Sequence, residues 1–183
     1  MARVLVPLAQ GCEELEAVTI IDLLRRAGID VTSASLDEQP VRASRGTVLI
    51  ADTTLAAALQ QDYDMIVLPG GLPGADHLNQ DPRIQQLLTT MAAQDKFTAA
   101  ICAAPKVLAS AGLLDGKRAT AFPGTLEKLN LTNTALDSAA VVQDGKVITS
   151  KGPGTAMDFA LILIENLAGQ AIREQVETGL QRC

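Results

Sequence analysis

RVLVPLAQGCEELEAVTIIDLLRRAGIDVTSASL, residues 3–36, is the stretch that decides the fold. Its first six residues are a short apolar run of strand length, the form a strand takes when both its faces are covered. Residues 13–27 follow with helical spacing and Gly28 closes them. IDVTSASL (29–36) is rich in β-branched residues and returns as a second strand. Strand, helix and strand in this order make a βαβ unit, which places the two strands parallel in one sheet.

The alternation continues along the chain. Residues 40–51, with SRGTVLIA, read as an excursion holding a short strand or hairpin. DMIVLP (64–69) is a buried strand, IQQLLTTMAAQ (84–94) a helix, TAAIC (98–102) a strand and 105–111 a helix. AAVVQDGKVITS (139–150) is a hairpin that turns at Asp144-Gly145. TAMDFALILIENLA (155–168) is a nearly all-apolar helix ended by Gly169, and an amphipathic helix occupies about 170–180. This predicts an α/β fold with a doubly wound, mostly parallel sheet sandwiched by helices. No repeat or linker interrupts residues 1–183, which read as a single domain.

The chain has 183 residues, 48% of them hydrophobic, and a net charge of −6. That supports one sizeable core and argues against a dedicated nucleic-acid binder, which needs a basic footprint. The core must be aliphatic, because there are three Phe, one Tyr and no Trp. Three cysteines, Cys12, Cys102 and Cys183, do not describe a disulfide framework, and a cytoplasmic setting is expected. His77 is the only histidine, so no metal site of the Cys/His kind is expected. The apolar start VLVPLA is too short for an export signal, and the late apolar stretch is cut by Asp158 and Glu165; no membrane segment is expected.

Ligands of open α/β sheets bind beyond the carboxyl ends of the strands. Three unusual segments follow strands here: AQGCEELE, PGGLPGA and CAAP. Cys102 stands between small residues at a strand-to-helix junction. It reads either as a nucleophile turned outwards and activated by the N–H groups of the next helix, which would lower its pKa, or as an inert core thiol. Glu16 shares the core-facing side of its helix with Ile20, Leu23 and Ala27. It reads either as a buried, protonated donor or as a carboxylate favoured by the helix N-terminus. Gly70 and Gly71 allow close approach of backbone to a ligand, although turns use such pairs routinely. Gly152-Pro153-Gly154 reads as a tight helix entry. His77, near a helix start, reads as a surface histidine, Cys12 as a small buried residue or a resolving thiol, and Cys183 as an unstructured terminus.

GCEELEAVTIIDLLRRAGIDVT, ASRG, YDMIVLPGGLPGA, AAICAAPKVLA and ITSKGPGTAMDFALILIE occur in this order over most of the chain. Together they resemble the ThiJ/PfpI superfamily, in particular the deglycase branch that includes the human parkinsonism-associated protein and bacterial YajL. The resemblance implies a flavodoxin-like sandwich that assembles as a homodimer. It implies that Cys102 is the reactive nucleophile and that Glu16 is a protonated carboxyl bonded to its sulfur. The N–H groups of Gly71 and Ala103, with Gly70, would bind an oxyanion or a cysteine sulfinate. Arg45 and Arg26 match basic residues near the pocket and the dimer contact. The implied activity is cofactor-free glyoxalase or deglycase chemistry on methylglyoxal, glyoxal or their glycated adducts. The alternative is a redox-sensing stress protein or chaperone governed by oxidation of Cys102. Peptidase-like relatives place a histidine directly after the nucleophile, where Ala103 stands, so a peptidase or thiamine-pathway role lacks its base. The human protein carries a histidine where Phe122 stands, which makes this pocket more apolar.

Overall fold

The computed structural model describes residues 1–182, so Cys183 lies outside the described residues. Eleven strands form: β1 (Arg3–Leu8), β2 (Asp30–Ser35), β3 (Val41–Arg42), β4 (Val48–Leu49), β5 (Thr53–Thr54), β6 (Met65–Leu68), β7 (Phe97–Ile101), β8 (Arg118–Ala119), β9 (Ala135–Leu136), β10 (Val141–Asp144) and β11 (Val147–Ser150). The helices are α1 (Glu14–Arg26), α2 (Leu55–Ala58), α3 (Gly74–Gln80), α4 (Pro82–Ala93), α5 (Pro105–Ser110), α6 (Ala156–Ala168) and α7 (Gln170–Gly179).

Seven strands make one sheet in the order β10-β11-β7-β6-β1-β2-β5. All neighbours in it are parallel except β10 and β11. β1 is an interior strand between β6 and β2 and pairs with β2 over its whole length, from Arg3 opposite Asp30 to Leu8 opposite Ser35. The chain leaves β1 towards β2, then returns to the other side of β1 with β6. That reversal puts α1, α6 and α7 on one face and α3, α4 and α5 on the other. Val4, Leu5, Val6, Ile66, Val67, Leu68, Ala99, Ala100 and Ile101 are fully buried between the layers. This is why these strands read as continuous apolar runs rather than as alternating ones.

Several elements differ from the sequence reading. Asp144 pairs with Val147, so the hairpin loop is Gly145-Lys146, one residue later than expected. Gly145 takes φ +62°, the left-handed conformation that a two-residue loop of this kind needs. The excursion at 40–51 is a hairpin, β3 against β4. Beyond it, β5 and α2 were not expected, because two and four residues are too few to show a period. α3 was hidden by the Gly and Pro content of LPGGLPGA, which reads as loop. His77 is the fourth residue of α3 rather than a surface residue at a helix start. It is half-buried, with Nδ1 2.9 Å from the Gln10 carbonyl. Its ring lines a cleft of about 600 Å³ with Leu8, Gln10, Gln80 and Arg83. Among the described residues no helix is long and apolar enough to cross a membrane.

α1 ends as its sequence requires. Gly28 N–H donates to Arg25 C=O at 3.0 Å and Ile29 N–H to Leu24 C=O at 3.2 Å, with Gly28 at φ +72°. This is the glycine-terminated helix end that satisfies the last carbonyls. A Cβ on Gly28 would meet nothing within 4 Å, so its cost is conformational alone. Gly28→Ala is expected to lower the unfolding free energy by about 1–2 kcal/mol in urea titration. Unchanged stability would remove the backbone argument.

Candidate active site

The three loops singled out in the sequence meet at the carboxyl end of the sheet, and backbone contacts lock them together. After β7 the chain turns at Cys102, which takes φ +64°. A side chain other than Gly is uncommon there and strain at such a position is held by its surroundings. Two hydrogen bonds hold this one: Cys102 N–H donates to Ser150 C=O at 2.9 Å, and Phe122 N–H donates to Cys102 C=O at 2.9 Å. β7 therefore ends at Ile101, one residue before the sequence reading, and the left-handed turn carries the thiol out of the strand direction.

Gly70 and Gly71 are wedged between this turn and the loop after β1. A Cβ on Gly70 would lie 2.6 Å from Cys102 Cβ, and one on Gly71 would lie 2.3 Å from Glu13 N. Gly71 also takes φ +87°. Only glycine fits either place, and Glu13 N–H donates to Gly70 C=O at 2.9 Å across the gap. The first turn of α1 is thereby pinned beside the thiol.

Glu16 is 0% exposed and Cys102 9%. Gly70 N–H donates to Glu16 Oε2 at 2.8 Å. Oε1 is buried with no nitrogen or oxygen partner, and the carboxyl's other hydrogen-bonding neighbour is the Cys102 thiol. Burial pushes Glu16 up to about 7, against the Gly70 amide and the thiol, which favour its charge. Cys102 is pushed up to about 12, first by burial, then by the Glu16 charge and by its acceptance of the S–H. The amides of Gly71 and Ala103 act in the opposite direction and favour the sulfur's charge.

The lowered thiol pKa expected from the following helix is therefore overturned while Glu16 is ionised. α5 has only six residues, and its N-terminal donors are outweighed by desolvation and by a carboxylate at contact. The balance changes when Glu16 keeps its proton. The second and third causes then vanish, the carboxyl becomes a donor to sulfur, and burial alone opposes the amides.

Arg45 and Arg26 are not drawn into this arrangement by their guanidinium groups. Arg45 is exposed, and it takes part through its main chain, whose N–H donates to both Glu14 carboxyl oxygens at 3.1 and 3.0 Å. Glu14 bears a desolvation cost. Even so, N–H groups from its own residue, Arg45 and Thr47 bring it down to about 2. Arg26 sits in the last turn of α1, ten residues and about 15 Å along the helix from Glu16. There it pairs with Asp22 at 2.6 Å. Within its own chain the helix carries Arg26 to the opposite end of α1 from Glu16. Cys12 is fully buried, and burial first, then the Glu14 charge, push it up to about 12.

Two contributors, Ser150 and Ser44, were not singled out from sequence, and a third, Phe122, was expected only as an apolar residue of the pocket. Ser150 anchors the nucleophile's N–H, Phe122 anchors its C=O, and Ser44 Oγ donates to Glu13 Oε2 at 2.9 Å, tying the β3–β4 hairpin to the site. Ser150 ends β11, so the rule that ligands gather beyond strand ends would have found it. The other two come from loops whose course only the folded chain fixes. Among the described residues no three His, Cys, Asp or Glu side chains gather to hold a metal ion.

The chain is similar to known proteins over most of its length. The chain is 42% identical over 177 residues to protein dj-1beta of Drosophila melanogaster, covering 96% of this chain and 95% of that one. The crystal structure of Drosophila melanogaster DJ-1beta superposes with a TM-score of 0.95 at 41% identity, covering 100% of this chain and 98% of the other. Protein DJ-1 homolog B of Arabidopsis thaliana is 43% identical over 170 residues, 92% of this chain, which spans only 39% of that longer protein. A protein named Glutathione-independent glyoxalase DJR-1.2 in Caenorhabditis elegans is 36% identical over 169 residues, covering 92% of this chain and 89% of that one. Residues 2–166 match the DJ-1/PfpI family, and this chain belongs to that family.

Proposed function

We propose that this protein is a slow, cofactor-free glyoxalase that converts small 2-oxoaldehydes to 2-hydroxy acids through Cys102 and Glu16. One observation carries the reading: a fully buried carboxyl with one oxygen unpartnered lies beside a thiol turned out of its strand, with two amides aimed at the sulfur. The name of the Caenorhabditis elegans relative supports it.

Glu16 holds the proton in the reactive form and Cys102 the charge, because sulfur has two amide donors and the carboxyl has one. The thiolate adds to the aldehyde carbon, forming an S–C bond and a hemithioacetal. The Gly71 and Ala103 amides hold the oxyanion. Glu16 moves the hydrogen from the aldehyde carbon to the neighbouring carbonyl carbon. The first carbon is thereby oxidised to a thioester and the second reduced to an alcohol. Water breaks the S–C bond and releases the hydroxy acid, so the net change is addition of one water. Glycated adducts enter through the same first addition, which makes deglycation an extension of this chemistry. A reducing, cytoplasmic compartment suits an enzyme that works through a free thiol.

Cys102→Ala is expected to abolish methylglyoxal conversion to lactate. Glu16→Gln and Glu16→Leu both remove the carboxylate charge that holds the thiol up, so both should lower the thiol pKa. Both variants should lower turnover by about 100-fold or more. Thiolate absorbance against pH and lactate assay check these, and parental turnover by Cys102→Ala would discard the reading.

A second reading, oxidation sensing, is favoured by the difference in access. Cys102 reaches solvent, whereas Cys12 does not. Mild peroxide should convert Cys102 to a sulfinate ahead of Cys12, stabilised by Glu16 and the two amides. Intact-mass and peptide analysis that found Cys12 oxidised first would contradict this.

A homodimer is the assembly we favour. Leu15 and Val18 on α1 and Val48 and Ile50 on the hairpin are exposed, Ile50 at 86%. Val18, Ile21, Leu49 and Ile50 line one groove, so these residues form a continuous apolar face. Ile50→Asp should shift the protein from dimer to monomer in sedimentation velocity. An unchanged dimer would move the interface elsewhere.

A further inference from the structure

The protein has few aromatic side chains, and their placement is uneven. Phe159 is fully buried, Tyr63 is buried, and Phe97 is half-buried under the Lys146 ammonium. Phe122 is 50% exposed, and its main chain bonds the nucleophile residue. Leu72 is 59% exposed and directly follows Gly71, whose amide favours charge on the sulfur. Two large apolar side chains thus stand in solvent within one residue of groups that touch Cys102.

Neither is a loose surface residue. Phe122 is held from both sides, donating to Cys102 C=O at 2.9 Å and accepting from Thr125 N–H at 3.0 Å. Its ring lies against Gly152, where a Cβ would come within 3.3 Å of ring Cδ2. The bare glycine leaves the ring room and limits its movement on that side. Leu72 is carried by the Gly71–Pro73 turn, which is packed so tightly on Gly11 that a Cβ there would strike Pro73 Cδ at 2.4 Å. Exposing such side chains costs hydrophobic free energy unless something apolar covers them in the working complex. The Glu13 carboxylate, near enough to raise Glu16, disfavours an anionic substituent on the substrate.

We propose that Leu72 and Phe122 form an apolar rim over Cys102 that selects neutral 2-oxoaldehydes carrying an aryl or branched alkyl group. This rests on the glyoxalase reading and names its substrate class. The reaction is unchanged: the thiolate adds to the aldehyde carbon, and the group on the neighbouring carbonyl packs against the ring and the leucine. Phenylglyoxal plus water gives mandelate, as methylglyoxal plus water gives lactate. Both residues determine specificity and take no part in proton or bond movement.

The test is the ratio of kcat/KM for phenylglyoxal to that for methylglyoxal, compared between the parental protein and its variants. Taking the change in the ratio cancels the different intrinsic reactivity of the two aldehydes. Phe122→Ala should lower the ratio about tenfold, the size expected for loss of an aromatic contact and its buried area. Phe122→Leu should keep most of the preference, and Leu72→Ser should lower it severalfold. Both positions are exposed, and circular dichroism checks that each variant folds. A ratio unchanged within twofold in both Phe122→Ala and Leu72→Ser, with both substrates still converted, overturns the rim and leaves the glyoxalase reading standing. Absence of Cys102-dependent turnover for either aldehyde in the parental protein overturns both.

Discussion

A carboxyl group removed from water and left with one oxygen unpartnered is the constraint on which this structure turns. A lone carboxylate in such a place is costly, and the usual relief is to keep the proton. Glu16 is forced into this choice by α1, whose core-facing side includes its position. The only polar groups offered to it are one amide and one thiol. The chemistry of Cys102 is set by where that single proton rests. In the reaction proposed, the proton rests on Glu16, so the sulfur carries the charge that the amides of Gly71 and Ala103 favour.

The fold supplies this arrangement by bringing strand ends together rather than by building a deep cavity. β1, β6, β7 and β11 all end at the same edge, and each contributes one element: the α1 entry, the glycine pair, the nucleophile turn and the Ser150 carbonyl. Contact distances that exclude any Cβ at Gly70 and Gly71 hold the loops at close backbone approach. Such rigidity suits a site whose function depends on sharing one proton between two buried atoms. The hairpin β3–β4 is fastened to the same edge by Glu14 and Ser44, so the apolar face proposed for dimer formation is mechanically continuous with the catalytic loop.

Much of this was legible in the residues. Continuous apolar runs gave β1, β6 and β7, because strands covered on both faces need no polar positions. Gly28 and Gly169 marked helix ends through the left-handed conformation that both adopt. The three strand-end loops could be chosen as the site because ligands of such sheets gather there. β5, α2, β8 and β9 were not legible, since elements of two to four residues carry no period and exist only because neighbours hold them. The hairpin turn was misplaced by one residue because Asp144 suits a turn as well as a strand end, and only its pairing with Val147 decides between them.

The sequence by itself determined the layered α/β architecture, the core-facing position of Glu16 on its helix and the place of Cys102 at a strand end, because periodicity and order along the chain encode which faces meet. The tertiary structure alone decided the direction in which the thiol titrates, the main-chain bonds of Phe122 and Ser150 to the Cys102 turn and the tie of Ser44 to Glu13. Those depend on distances and on exclusion of water between segments far apart in the chain, and local composition carries no record of either.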